Sequence, residues 1–131
     1  MAGFGEQKSE KSKKVGSTQA FRANTLLINA IKFHAKGKLE LAEKGYREAM
    51  SVGCTDCRLF SNLGVICQNS GRPKEAISLY KRAIHINPSD SGAYANLGSI
   101  YKDLGKLDVA LAFTLKSLKI KDDNPSAHLN L

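Results

Sequence analysis

The chain has little with which to build a membrane span, a disulfide frame or a reactive centre. None of its 131 residues falls in an apolar run of the roughly 20 that a helix needs to cross a bilayer. The opening residues, MAGFGEQKSEKSKK, lack the apolar stretch of a secretory signal. Three cysteines are an odd number and give no disulfide framework, so a reducing cytoplasmic setting is expected. His34, His85 and His128 stand well apart. There is no Ser/His/Asp or Cys/His set, no paired-carboxylate motif and no phosphate-cradling glycine loop, so neither enzymatic activity nor a cofactor or metal is expected. Acidic residues are also in short supply, 12 against 20 basic ones, for a formal charge of +8. Lys8, Lys11, Lys13, Lys14 and Arg22 outnumber Glu6 and Glu10 near the start, and the rest of the surplus is spread along the chain. Such a balance favours weak attraction to anionic surfaces. No basic run is interleaved with aromatics, so nucleic acid is not the expected partner.

What the chain does have is a period. Leu63-Gly64 maps onto Leu97-Gly98 at an offset of 34, and the same step carries Gly37 to Gly71 to Gly105, Ala42 to Ala76 to Ala110, and Phe60 to Tyr94. A period of this size marks a helical solenoid, in which each repeat buries its apolar face only against its neighbours. The 42% apolar content then builds a ribbon-like core between stacked helices.

Residues 1–17 are polar and basic, with too little apolar surface to offset the entropy of ordering, and are expected to be a disordered tail. From Ser17 or Thr18, a capping position, Phe21, Leu26, Leu27, Ala30, Ile31 and Phe33 recur at helical spacing. Asp56, Asp90 and Asn124 lie 34 apart, each just before a new helix, and all are good N-caps. Gly37, Gly71 and Gly105 fit helix stops. Pro73 and Pro125 suit a first helical turn, and Pro88 blocks continuation of the helix before it. Helices are therefore expected near 18–36, 39–52, 57–70, 73–86, 91–104 and 107–120, with a seventh starting at Pro125. The repeats are read as 23–56, 57–90 and 91–124, with a partial fourth over 125–131.

Gly64 and Gly98 fall inside helices, where each costs about 1 kcal/mol relative to alanine. A cost repeated at one register implies a repeated gain, a close approach of two helices. Ala30 takes that place in the first repeat, with Ala76, Ala83 and Ala110 as the expected small surfaces opposite. Phe60, Tyr80, Tyr94 and Tyr101 are expected to fill the gaps between paired helices.

These residues resemble the tetratricopeptide repeat. Its signature is a large residue, Leu, Gly and Tyr on the first helix, then Ala, an aromatic, Ala and a late Pro. The middle repeat meets it with Phe60, Leu63, Gly64, Ala76, Tyr80, Ala83 and Pro88, with Cys67 in place of the Tyr. The last keeps Tyr94, Leu97, Gly98, Tyr101 and Ala110, and departs at Thr114, Ser117 and Asp122. The first keeps Ala42, Tyr46 and Ala49, with Leu26, Asn29, Ala30, Phe33 and Cys54 at the other places. The likeness covers about residues 23–131. It implies an all-α solenoid of stacked antiparallel helix hairpins in a right-handed superhelix, and a concave groove, lined by the first helices, that binds peptides or partner proteins, usually without catalysis.

Asn62, Asn96 and Asn130 recur at the same step, each one residue before a core leucine, so they project along one edge. An amide offers donor and acceptor together, which matches a peptide backbone of any sequence; a local bond between helices is the plainer alternative. The row resembles the asparagine ladder of the tetratricopeptide superhelix in O-linked N-acetylglucosamine transferases, which grips extended peptide. Ile28 holds the matching place in the first repeat. Around the row, Arg58, Val65, Gln68, Ser99 and Lys102 are expected to line the groove, together with Asn24, Leu27, Ile31, Ser61 and Ala95. In some members, Lys and Asn on the first helix clamp a C-terminal carboxylate. Leu27 and Ile31 stand where those would be, which argues against a chaperone-tail clamp. Cys54 and Cys57 form a C-x-x-C at a repeat junction with no strand beside it. A structural zinc site wants four ligands, so these are read as turn and core residues rather than a redox or metal pair.

Seven residues from Pro125 are too few to cover the helix around Ala110–Leu118. The expected reasons are a longer protein of which this is a fragment, self-association through the C-terminal repeat edge, or fraying. The expected function is a protein–protein interaction scaffold, with a substrate-recruiting or regulatory region of a longer group transferase as the alternative.

Overall fold

The computed structural model describes residues 3–123, with side chains from Thr18 onward. Six helices and no strand are present among the described residues: α1 (Gly3–Ala35), α2 (Leu39–Ser51), α3 (Cys57–Asn69), α4 (Pro73–Ile86), α5 (Ser91–Asp103) and α6 (Leu107–Asp122). They divide into two compact pieces, Met1–Thr55 and Asp56–Leu131.

In the first piece α1 and α2 form a hairpin. Ala23, Leu27 and Ala30 of α1 are buried, as are Ala42, Tyr46 and Ala49 of α2. The helices meet closely at Gly45, where an added Cβ would come 2.9 Å from Ala30 Cβ. Tyr46 is fully buried, and its hydroxyl lies 3.0 Å from His34 Nδ1. Three sequence expectations are corrected. The backbone of α1 is already helical at Gly3, where the helix was expected to start near residue 18. No proline interrupts the segment, and lengthening a helix that packing already anchors avoids the cost of nucleation. Leu27, expected on the groove, is wholly buried. Phe21, expected on the core stripe, is 74% exposed.

The second piece contains two hairpins, α3–α4 and α5–α6, with α5 packed on α4 and touching α3. Its helices start as their caps dictate. Asp56 accepts a bond from the Arg58 backbone N–H at 2.9 Å and Asp90 from that of Ala93 at 3.1 Å, while Pro73 occupies the first turn of α4. The first helix of each hairpin stops by one device. Gly71 and Gly105 take φ of +74° and +79°, and the next residue's N–H reaches back into the helix, Arg72 to Cys67 O and Lys106 to Tyr101 O, each at 2.9 Å. A side chain in that left-handed region is strained, so glycine suits it. Asn124, Pro125 and Asn130 lie outside the described residues.

The core of this piece is Leu59, Phe60, Leu63, Ile66 and Cys67 of α3, Ala76, Leu79, Tyr80 and Ala83 of α4, and Ala93, Leu97 and Ile100 of α5. Each large apolar side chain buried here contributes about 1.5–3 kcal/mol. The close approaches fall at the two glycines picked out from sequence; what faces Gly64 differs from expectation, whereas Ala110 does face Gly98, together with Thr114. Opposite Gly64 stands the flat ring of Tyr80 rather than an alanine, 2.7 Å from the position of an added Cβ. Opposite Gly98 stands Thr114 Oγ1 at 2.5 Å, with the Ala110 carbonyl oxygen at 3.2 Å. Phe113 of α6 stacks on Tyr101 at 5.6 Å and leans on Tyr94 at 6.2 Å. The Arg82 guanidinium covers the Phe60 ring at 4.2 Å.

Candidate functional site

The least buried side of α3 runs Arg58, Ser61, Asn62, Val65, Gln68 and Asn69, at intervals of three, one, three, three and one residues. That spacing is one helical stripe. On α5 the stripe is Gly92, Ala95, Asn96, Ser99, Lys102 and Asp103, the same positions one period later. Because α5 touches α3 and both rest on α4, the stripes adjoin. Ser61 ties them by donating to Asp90 Oδ2 at 2.9 Å.

Each expected site residue of this piece has a definite setting. Asn62 and Asn96 are half-buried at matching places, with Val65 half-buried beside Asn62. Ser99 and Lys102 are exposed and border a depression of about 420 Å³ whose other wall is Leu107, Leu111 and Thr114. Arg58 is exposed but committed. Its guanidinium grips the Asp56 carboxylate through Nε to Oδ1 at 3.1 Å and Nη2 to Oδ2 at 2.9 Å. That fork holds the Asp56 carboxyl below its usual range, against a smaller opposing effect of burial.

Gln68 engages a residue that sequence assigned to the core alone. The Tyr80 hydroxyl donates to Gln68 Oε1 at 2.8 Å. Burial holds this hydroxyl protonated well above the usual tyrosine range. A signal for it exists in the sequence. His34 and Tyr46 precede Gln68 and Tyr80 by one period, and that pair is joined in the same way. One period later Lys102 and Thr114 replace them, and Thr114 Oγ1 donates to the Ala110 carbonyl instead.

The apolar side of α6 is a second surface feature. Leu107, Leu111, Leu115 and Leu118 are all more than half exposed, at spacings of four, four and three. The buried face of α6 is small, Ala110 and Ser117. Cys54 and Cys67 are buried and Cys57 half-buried, all as free thiols. Among the described residues there is no cluster of metal-binding side chains and no helix long and apolar enough to cross a membrane.

Helix hairpins capped, stopped and packed by one rule at one period define an all-α helical-repeat protein of the solenoid class. Residues 57–90 match the tetratricopeptide repeat family, and residues 79–112 match a second model of the same repeat. Among solved structures, the second tetratricopeptide domain of Spaghetti (RPAP3) bound to the HSP90 peptide SRMEEVD is similar at 22% identity. The match covers 86% of this chain and 97% of that one, with a TM-score of 0.76. The first such domain of the same protein, bound to the same peptide, is 23% identical over 86% and 89%, with a TM-score of 0.71. The Arabidopsis OM64 domain is 15% identical over 85% and 92%, at 0.73. These are likenesses of fold. No curated protein sequence matches the chain.

Proposed function

We propose that this chain is a non-enzymatic interaction module that holds an extended segment of a partner protein against the adjoining faces of α3 and α5. The observation that carries the reading is the pairing of two like stripes, mixed in polarity, with Asn62 and Asn96 half-buried at equivalent places. Amides at a fixed step suit a strand-like ligand, whose backbone offers a donor and an acceptor at every residue. The two Spaghetti domains named above, of the same fold, are described as bound to a peptide. The three free thiols support a reducing, cytoplasmic setting. On an array of peptides, the double variant Asn62→Ala/Asn96→Ala is expected to bind at least about 10-fold more weakly than wild type, on the scale of two lost hydrogen bonds. Unchanged binding with intact helicity would remove the asparagines from the mechanism. Residue Asn130 belongs to the same proposed row.

The exposed leucines of α6 support a second mode, self-association through that edge, since a contiguous apolar stripe is costly to leave in water. Light scattering is expected to show a concentration-dependent dimer that Leu111→Lys abolishes. A wild-type monomer at high concentration would discard this mode.

A further inference from the structure

We propose that the apolar stripe of α6 is covered by the α6 of a second copy of this chain, laid antiparallel across a two-fold axis near residue 113. The inference rests on the self-association reading above and adds to it an orientation and a pair of charge contacts. The inward side of α6 is already engaged: Ser117 donates to the Ser91 carbonyl oxygen at 2.8 Å, and Phe113 stacks on Tyr101. Leu107, Leu111, Leu115 and Leu118 lie on another side, each more than half exposed. Their order reads nearly the same from either end. Turning a second α6 end over end therefore sets Leu107 against Leu118 and Leu111 against Leu115, twice each, and closes the pair as an isologous dimer.

The charges beside the stripe select this orientation. Asp108 follows Leu107 and Lys119 follows Leu118, so the two stand on the same flank of the stripe. Both are exposed, in the first and last turns of the helix. Each suits its own helix end; their shared flank is what a second copy can use. An end-over-end two-fold brings like flanks together, so Asp108 of each copy meets Lys119 of the other. In a parallel pair the two residues, eleven positions apart, stay about 16 Å apart along the axis and do not meet. Lys116 lies farther round the helix, and Lys121 falls on the opposite flank, seven residues on from Thr114. The antiparallel arrangement also sets opposite ends of the two helix dipoles side by side. One pair of 16-residue helices falls at the small end of interface sizes, below about 1,200 Å². The dimer is therefore expected to be weak, with a dissociation constant on the order of tens of micromolar.

The test is sedimentation equilibrium of the full chain at low salt, with a charge swap in three variants. Asp108→Lys sets lysine against lysine at both contacts, and Lys119→Glu sets acid against acid. Each is expected to weaken the dimer about 5–10-fold, the scale of two exposed ion pairs turned from attraction to repulsion. The double variant Asp108→Lys/Lys119→Glu restores opposite charges and is expected to return to within about 2-fold of wild type. Raising the salt to near 1 M should shrink these differences, since exposed charges are screened. Both positions are exposed, so the variants should keep wild-type helicity by circular dichroism. Single variants that dimerise like wild type, or a double variant as weak as either single one, would overturn the antiparallel pairing alone, provided that Leu111→Lys still abolishes the dimer. A wild-type chain that stays monomeric would overturn the self-association reading as well. So would a chain that dimerises only once residues 124–131 are removed, because its own end would then be the occupant.

Discussion

Replacing Tyr80 by alanine is expected to lower stability by about 3–5 kcal/mol, the usual cost of deleting a fully buried aromatic side chain. The ring is completely enclosed and lies against the bare backbone of Gly64, so its loss opens a cavity between α3 and α4 that neither helix can fill with a side chain. By contrast, Tyr80→Phe keeps the ring and loses a hydrogen bond, for about 1 kcal/mol. Urea unfolding followed by far-ultraviolet circular dichroism measures both. Stabilities of whole domains are only about 5–15 kcal/mol, so the alanine variant should be largely unfolded at the upper end of physiological temperature. An alanine variant within about 1 kcal/mol of wild type would mean that Tyr80 is not a core residue.

The second large effect is one of sign. In an exposed helical position, Gly→Ala stabilises by about 1 kcal/mol. At Gly64 the same change is expected to destabilise by about 1–3 kcal/mol, the range for overpacking. The new Cβ would sit 2.7, 3.0 and 3.1 Å from three atoms of one rigid ring. That ring cannot swing aside without giving up its bond to Gln68. Gly92 is the control: exposed, in the first turn of α5, with nothing nearer than 3.4 Å. Gly92→Ala should be neutral or mildly stabilising. Opposite shifts of the two unfolding midpoints are the expected result, and equal shifts would show that α3 and α4 do not meet at Gly64.

Much of the fold could be read from the chain because its determinants are local. Asp56 and Asp90 cap the helices they precede, and Gly71 and Gly105 stop the ones before them, since each acts within four residues of its own position. Gly53, at φ +90°, ends α2 in the same left-handed way and was missed because its period partner is Asn87, so the 34-residue step gave no hint of it. The start of α1 was misjudged for a related reason. Composition measures the apolar surface a segment can bury, not whether a helix already in place can be prolonged through it. What faces Gly64 was also out of reach. A glycine announces a close approach, but whether an alanine or a ring fills it depends on how α4 is rotated about its axis.

The site was less legible, and Arg58 explains why. By stripe it belongs with Asn62 and Gln68, yet it closes on its own helix cap two residues away. Side-chain engagement of that kind depends on rotamers, on which periodicity is silent. Tyr80 illustrates the reverse case. Its burial was evident from its register, but the use of its hydroxyl follows only when α3 and α4 are brought together.

The absence of tryptophan gives the buried tyrosines an optical consequence. Ultraviolet emission from this chain comes from four phenols, and the two fully enclosed ones lie in different pieces, Tyr46 in Met1–Thr55 and Tyr80 in Asp56–Leu131. Each is quenched or released according to the state of its own hairpin. Exchange of Tyr46 for phenylalanine leaves emission from Asp56–Leu131 alone, and exchange of Tyr80, Tyr94 and Tyr101 together leaves that of Met1–Thr55, so the melting of each segment can be followed without a foreign dye.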